Sequence, residues 1–290
     1  NEPIAGYQTP HFWQETGWNA TGQNDFLLNY VIPAMIENNI FDVTVQIQDG
    51  QRTALKGKWP EIALDQVTNS TLNPGVENLK GFAVALHWYE DFILDRLPNA
   101  GKIMSETYEQ LKPIFEKSQQ EFYMLNTEAC MPIYRYPPSR QASDDLGNWF
   151  HGQRYSEDMI QDLNHHVSGW TDWNMVLDMR GGPNWAGNRH DAPIIADSEN
   201  LKYYKNPMFY HMGHFSKFLD RSFSVNEFSE NESKILEDVH FTVASNGEKE
   251  VMIFLNNQRK DVSVNVESQS NFILNEVLPA RSITTISVNL

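Results

Sequence analysis

Between residues 42 and 177, short apolar runs alternate with longer polar stretches of helical character. That rhythm predicts βα units on a parallel sheet. Strands are read at 43–48, 82–88, 122–127 and 169–176, with Asn1-Glu2 as the tip of an earlier one. Phe26, Leu27, Tyr30, Val31 and Met35 recur at helical spacing, and Pro33 predicts a kink or break among them. Ser156 reads as the N-cap of a helix whose Met159, Ile160, Leu163 and Val167 form an apolar stripe. Asn206-Pro207 supplies a cap and a first-turn proline ahead of Met208, Phe215 and Phe218.

Past Leu219 the pattern changes to short alternating strands, expected at 239–244, 251–255, 262–266, 272–277 and 283–288. Asn246-Gly247 is a strong hairpin signal between the first two. Five evenly spaced strands bury little unless they close or stack, so residues 220–290 are read as a β-sandwich domain, following an α/β domain over residues 1–219.

The chain of 290 residues, 40% hydrophobic and 12% aromatic, can bury a large core. Its net charge of −16 repels phosphate backbones and argues against a nucleic-acid partner. A single cysteine, Cys130, excludes an intrachain disulfide and any multi-cysteine metal site within these residues, and reads as a small buried apolar residue. Asn19-Ala-Thr21, Asn69-Ser-Thr71 and Asn231-Glu-Ser233 fit the glycosylation pattern and suggest a secretory route. No apolar run is long enough to span a bilayer.

Two glutamates stand out against this background. Glu128 ends the apolar run 122–127, where a charge is costly unless it faces a polar cleft, and parallel barrels place catalytic groups at that end of their strands. Glu2 lies in Asn1-Glu2-Pro3, where proline stops strand pairing just after the acid. Taken alone, either glutamate reads equally well as a solvated surface residue. His211 and His214 are three apart on a helix, but with no carboxylate or cysteine partner they read as packing and not as a metal site.

Six runs, in order across nearly the whole chain, resemble the glucosylceramidase family, glycoside hydrolase family 30. They are Asn1-Glu2-Pro3, His87-Trp88-Tyr89-Glu90-Asp91-Phe92, Thr127-Glu128-Ala129-Cys130, Gly169-Trp170-Thr171-Asp172-Trp173-Asn174, Gly181-Gly182-Pro183-Asn184-Trp185, and the stretch 207–218. The resemblance implies the C-terminal, active-site-bearing part of the protein: the second half of a (β/α)8 TIM barrel over residues 1–219, then the β-sandwich. The first half of the barrel would be missing, and an open half-barrel is expected to be unstable or inactive by itself.

The activity implied is hydrolysis of glucosylceramide with retained configuration, Glu2 acting as general acid/base and Glu128 as nucleophile. Asn1 would hydrogen-bond the sugar 2-hydroxyl, Tyr89 would stand beside the nucleophile, and Trp173 and Asn188 would line the glucose pocket. Trp88 and Trp185 offer indole faces for glucose, or else fill the barrel wall. Glu2 has to be protonated at working pH, so an apolar neighbourhood should raise its pKa, whereas Glu128 should stay ionised among hydrogen-bond donors.

The resemblance implies no metal and no cofactor. It implies a lysosomal or secreted protein, the lysosome favoured, peripherally attached to a membrane surface and assisted by a saposin-type activator. One departure is visible: where the family carries an acidic pair, Asp49-Gly50-Gln51-Arg52 keeps one acid. The rival readings are a retaining glycosidase of another sugar, such as a β-xyloside or glucuronoxylan, and a non-catalytic carbohydrate-binding chain.

Overall fold

The computed structural model describes residues 2–3, 16–89, 99–132, 140–185, 187–226, 238–267 and 273–290. They fall into two compact units, one of residues 1–129 and 165–173, the other of residues 130–164 and 174–290.

The first unit opens with helix α1 (Ala20–Phe26), a π-helical segment (Leu27–Val31) and α2 (Ile32–Glu37). The irregularity expected at Pro33 is this π segment: it interrupts the α-helical run just before the proline, which falls in the first turn of α2. Strand β1 (Thr44–Gln51) follows, then the short helices α3 (Thr53–Lys56) and α4 (Trp59–Ala63), β2 (Gly81–His87), α5 (Ala100–Lys117), β3 (Glu121–Ala129) and β4 (Val167–Asp172). The four strands pair in parallel in the order β1-β2-β3-β4.

Every residue of β2 is buried, as expected of a strand covered on both faces. Helix α5 packs Met104, Leu111 and Phe115 inward, and Phe115 lies flat on Phe122 with ring centroids 5.0 Å apart. Pairing is even at the lower end of the sheet, from Thr44 opposite Gly81 and from Gly81 opposite Glu121. These two ladders slip near the top, between Gln48 and Gly50 on β1 and between Leu86 and His87 on β2, whereas the β3–β4 ladder is irregular from Met124 to Ala129. The fourth strand begins and ends earlier than expected, at Asp172, and Val176–Asp178 forms a separate strand in the second unit.

In the second unit, α6 (Trp149–Leu163) is capped by Asn148, whose Oδ1 accepts from the Phe150 N–H at 3.2 Å. Ser156 is therefore no cap. It lies inside α6, fully buried, with its hydroxyl 2.7 Å from His211 Nδ1 on α7 (Pro207–Ser216). Strands β5 (Val176–Asp178), β6 (Ile194–Asp197) and β7 (Lys202–Lys205) form a small sheet. Strands β8 (Ser224–Val225), β9 (Val239–Ser245), β10 (Lys249–Asn256) and β13 (Ser282–Asn289) form another, in the order β13-β10-β9-β8.

The hairpin β11 (Val262–Glu267) and β12 (Ile273–Leu278) completes the unit, and its Val262, Val264 and Leu278 share one apolar cluster with Val243, Met252 and Phe254 of the larger sheet. At the β9–β10 turn, Gly247 takes a φ of +85°, and Asn246 Oδ1 accepts from the N–H groups of Glu248 and Lys249. This is the hairpin that Asn246-Gly247 announces.

Two buried histidines give this unit a pH dependence. Burial pushes His211 down to about 3, with the neighbouring charge of His214 adding to the effect, and pushes His190 down to about 4. Both rings stay neutral in the folded chain but take a proton near 6.5 once unfolded, so stability is lost as the pH falls below that value. The melting temperature should therefore decline between pH 7 and pH 5, and His211→Asn, which keeps a partner for Ser156, should flatten that decline. A melting series giving parallel slopes for both proteins would contradict it.

Candidate active site

Three neighbouring strands deliver the chemistry at the same end of the parallel sheet. The polar segment Gln48–Gln51 closes β1, His87 closes β2 with Tyr89 two residues on, and Thr127 and Glu128 lie at the end of β3. Glu2 joins them through its backbone N–H, which donates to the Asp49 carbonyl at 2.6 Å. Glu2, Gln48 and Asp49 all have positive φ, 45°, 70° and 51°, a conformation rare for residues with side chains. Such strain persists where surrounding structure imposes it, and it gathers at functional sites.

His87 is the hub. Its ring is fully buried. Nδ1 is 3.3 Å from Glu2 Oε1, and Nε2 is 3.2 Å from Asp49 Oδ1 and 3.7 Å from Glu128 Oε2. One oxygen of each glutamate and one ring nitrogen of His87 all lie within 4.8 Å of one another. Gln51 Nε2 donates to Glu2 Oε1 at 3.1 Å, the Tyr89 hydroxyl donates to Glu128 Oε1 at 3.1 Å, and the Thr127 hydroxyl donates to Asp49 Oδ1 at 2.8 Å. The side chains of Glu2 and Glu128 keep 19% and 16% of their exposure, so neither is sealed under packed side chains.

The electrostatics follow from this arrangement. Burial works against a charge on His87, yet the hydrogen bonds to Asp49 and Glu2 and the charge of Glu128 win and raise it to about 9. Burial would likewise raise Asp49, but its bonds to His87 and Thr127 hold it down at about 2. The two shifts stabilise the fold together in the window between about pH 4 and 6.5. Asp49's share is lost as the pH falls toward 2, and His87's as it rises through 9.

At Glu128, burial pushes the carboxyl above the ordinary value, the charge of His87 pulls it back, and Glu2 adds to the rise. The expected donor, Tyr89, is in place, so the rise reflects burial and like charge and not a missing hydrogen bond. The convergence of Glu2, His87 and Glu128 is tight enough to hold a metal ion.

Of the residues singled out from sequence, Glu2, Glu128 and Tyr89 come together here. Trp173 follows β4 in the same unit, with its N–H on the Ala129 carbonyl at 2.8 Å and its indole 42% exposed. Trp88 is wholly buried, edge-on to Trp170 at 6.0 Å, so it fills the wall and offers no face to a sugar. Asn188 and the exposed Trp185 belong to the second unit, where Asn184 Nδ2 donates to the Asn188 carbonyl at 2.8 Å. Asn1 lies outside the described residues.

His87, Asp49, Thr127 and Gln51 are the participants that sequence reasoning passed over. His87 sits in one of the family-like runs and Asp49 is the one acid kept at its position, so both signals were present. Cys130, just past the nucleophile, is fully buried with its sulfur 3.1 Å from His190 Nδ1, which agrees with a packed thiol. His211 and His214 each take a hydroxyl partner, Ser156 and Thr285.

A parallel sheet with acids converging at its C-terminal rim is the arrangement of a barrel glycosidase. The chain belongs to glycosyl hydrolase family 30: the model of that family's TIM-barrel domain matches residues 1–219. It is 34% identical over 285 residues to the lysosomal acid glucosylceramidase of Mus musculus and 33% identical over 287 residues to putative glucosylceramidase 3 of Caenorhabditis elegans. These alignments cover 98% and 99% of the chain, and the chain spans about half the length of the curated relatives it matches. Among solved structures, SrfJ of Salmonella typhimurium superposes with a TM-score of 0.76 at 21% identity, covering all of this chain and 56% of that one. The latter likeness is one of fold.

Proposed function

We propose that these residues carry the catalytic pair of a retaining β-glucosidase that, as the full-length protein, hydrolyses glucosylceramide to glucose and ceramide. The observation that carries the reading is the spacing of the two glutamates. Oxygens within 4.8 Å of one another fit the roughly 5–5.5 Å of retaining pairs, not the ~6.5–9.5 Å that leaves room for a water in inverting ones.

In the first step a Glu128 oxygen bonds to the anomeric carbon as the glycosidic C–O bond breaks, and Glu2 gives its proton to the departing ceramide oxygen. In the second, the Glu2 carboxylate takes a proton from water, the water oxygen bonds to the anomeric carbon, and Glu128 leaves as a carboxylate. Tyr89 steadies Glu128 through its hydroxyl. By the family resemblance, Asn1 and Trp173 hold the glucose. The fold that goes with this reading is part of a (β/α)8 barrel over residues 1–219 and a β-sandwich over 220–290, supported by the parallel sheet and by the extent of the family match.

A lysosomal setting is favoured by the name of the mouse relative. Encounter with the lipid at a membrane surface, helped by a saposin-type activator, follows from the family resemblance. Among the described residues no helix is long and apolar enough to cross a membrane.

The role of Glu2 is tested by leaving groups. General acid catalysis contributes about 10²–10⁴-fold, and only where the departing oxygen needs a proton. Glu2→Ala in the full-length protein should lose about that factor on an alkyl β-glucoside, yet little in the release of dinitrophenol from its β-glucoside. Equal losses on both would remove Glu2 from the acid's role. Faster turnover of an aryl β-xyloside than of glucosylceramide would move the substrate assignment.

A further inference from the structure

The reaction as written leaves the most deeply buried member of the cluster without a task. We propose that Asp49 and His87 form a positioning dyad: Asp49, steadied by Thr127, fixes His87 as an imidazolium whose charge stabilises whichever catalytic glutamate is ionised. This rests on the proposed function and assigns two further residues to it.

The geometry carries the argument. Both ring nitrogens of His87 face carboxylates, Nδ1 toward Glu2 at 3.3 Å and Nε2 toward Asp49 at 3.2 Å. Where Glu2 and Asp49 are both ionised, a neutral imidazole with its one N–H satisfies one of these contacts, and the imidazolium satisfies both. The groups that face His87 are Glu2, Asp49 and Gln51 around the end of β1, Glu128 and Thr127 on β3, and Tyr89, whose ring stands edge-on at 6.0 Å. Among these described residues, the titratable ones are carboxyls apart from Tyr89, so His87 stands among three acids.

That count suits a double displacement. Before attack, Glu128 is ionised and Glu2 holds a proton; after it, Glu128 is an ester and Glu2 is ionised. The pair therefore carries one negative charge at both stages, and only its location changes. A cation within 3.3 Å of one acid and 3.7 Å of the other can serve both, without moving. Asp49 is not consumed at either stage. Its carboxylate accepts the hydrogen bond from Nε2–H, so the direct hydrogen bond to Glu128 comes from Tyr89. A dyad held in this way gives the site a fixed dipole prepared before substrate arrives, the form of electrostatic help that costs no reorganisation during reaction.

Two variants of the full-length protein test it. His87→Gln keeps a neutral donor and removes the charge, so both limbs of the pH profile of kcat/KM on an aryl β-glucoside should move to higher pH by about one unit, because each carboxyl loses a stabilising cation. Lower activity with both limbs unmoved would reduce His87 to a structural role and overturn the dyad. Asp49→Asn, at a half-buried position, covers the case in which His87→Gln fails to fold. In protein labelled with ¹³C-histidine, His87 should stay protonated at pH 7 in the wild type and titrate at least one unit lower in Asp49→Asn. A wild-type ring already neutral at pH 7, or one that titrates alike in both proteins, overturns the proposal. A covalent mechanism-based label recovered on Glu128 leaves the glucosidase reading standing under either failure; a label recovered elsewhere removes that reading itself.

Discussion

Glu128→Gln in the full-length protein should lower kcat on a fluorogenic β-glucoside by roughly four orders of magnitude, while a competitive sugar-like inhibitor still binds. The magnitude is that of removing one member of a catalytic unit whose other parts remain. Glutamine keeps the volume of the side chain, so it still meets the Tyr89 hydroxyl, but an amide cannot form the glycosyl ester. The fold should be retained, since Glu128 is partly exposed and contributes no apolar packing. The measurement is steady-state turnover beside calorimetric inhibitor binding. Wild-type turnover would take Glu128 out of the mechanism, and lost binding together with a lowered melting temperature would assign it to structure.

Gly81→Ala should have the largest effect on stability. Gly81 starts β2 directly opposite Glu121 of β3, and a Cβ there would meet the Glu121 carbonyl oxygen at 2.2 Å and its Cα at 2.9 Å. Both are backbone atoms of a paired strand and cannot rotate aside. The strands must separate or slip, at a cost of about 3 kcal/mol, the upper range for overpacking. A melting temperature lower by several degrees is expected, with activity falling as well, because the same ladder sets the heights of His87 and Glu128. An unchanged melting temperature would show that the two strands part there more easily than the contact distances imply.

Much of the parallel sheet was legible because 82–86 of β2 and 122–125 of β3 are short apolar runs, and such runs leave few alternatives once polar stretches flank them. The helix caps were harder. Ser156 looks like a cap when only its own preference is considered. Asn148 does the capping instead, and Ser156 is accepted inside α6 because His211, 55 positions away, meets its hydroxyl. Pro33 announces an irregular helix but does not reveal that the irregularity is a π segment just upstream.

At the site, Glu2, Glu128 and Tyr89 could be read from runs that resemble a family. The part played by His87 could not, because it depends on three carboxyls arriving from beyond its own strand. Trp88 was ambiguous in sequence, and only the neighbouring Trp170 decides that it faces the wall.

The slips in the β1–β2 and β2–β3 ladders fall at one height, beside Asp49 and His87, while the lower part of these two keeps its even count. Across β1, β2 and β3 the sheet therefore has an even base and an adjustable rim. A change that turns one acid a few degrees can be absorbed within two or three residues of a strand end, and the apolar layers beneath need not follow. Chains sharing this base could come to fit differently shaped sugars by altering the rim alone.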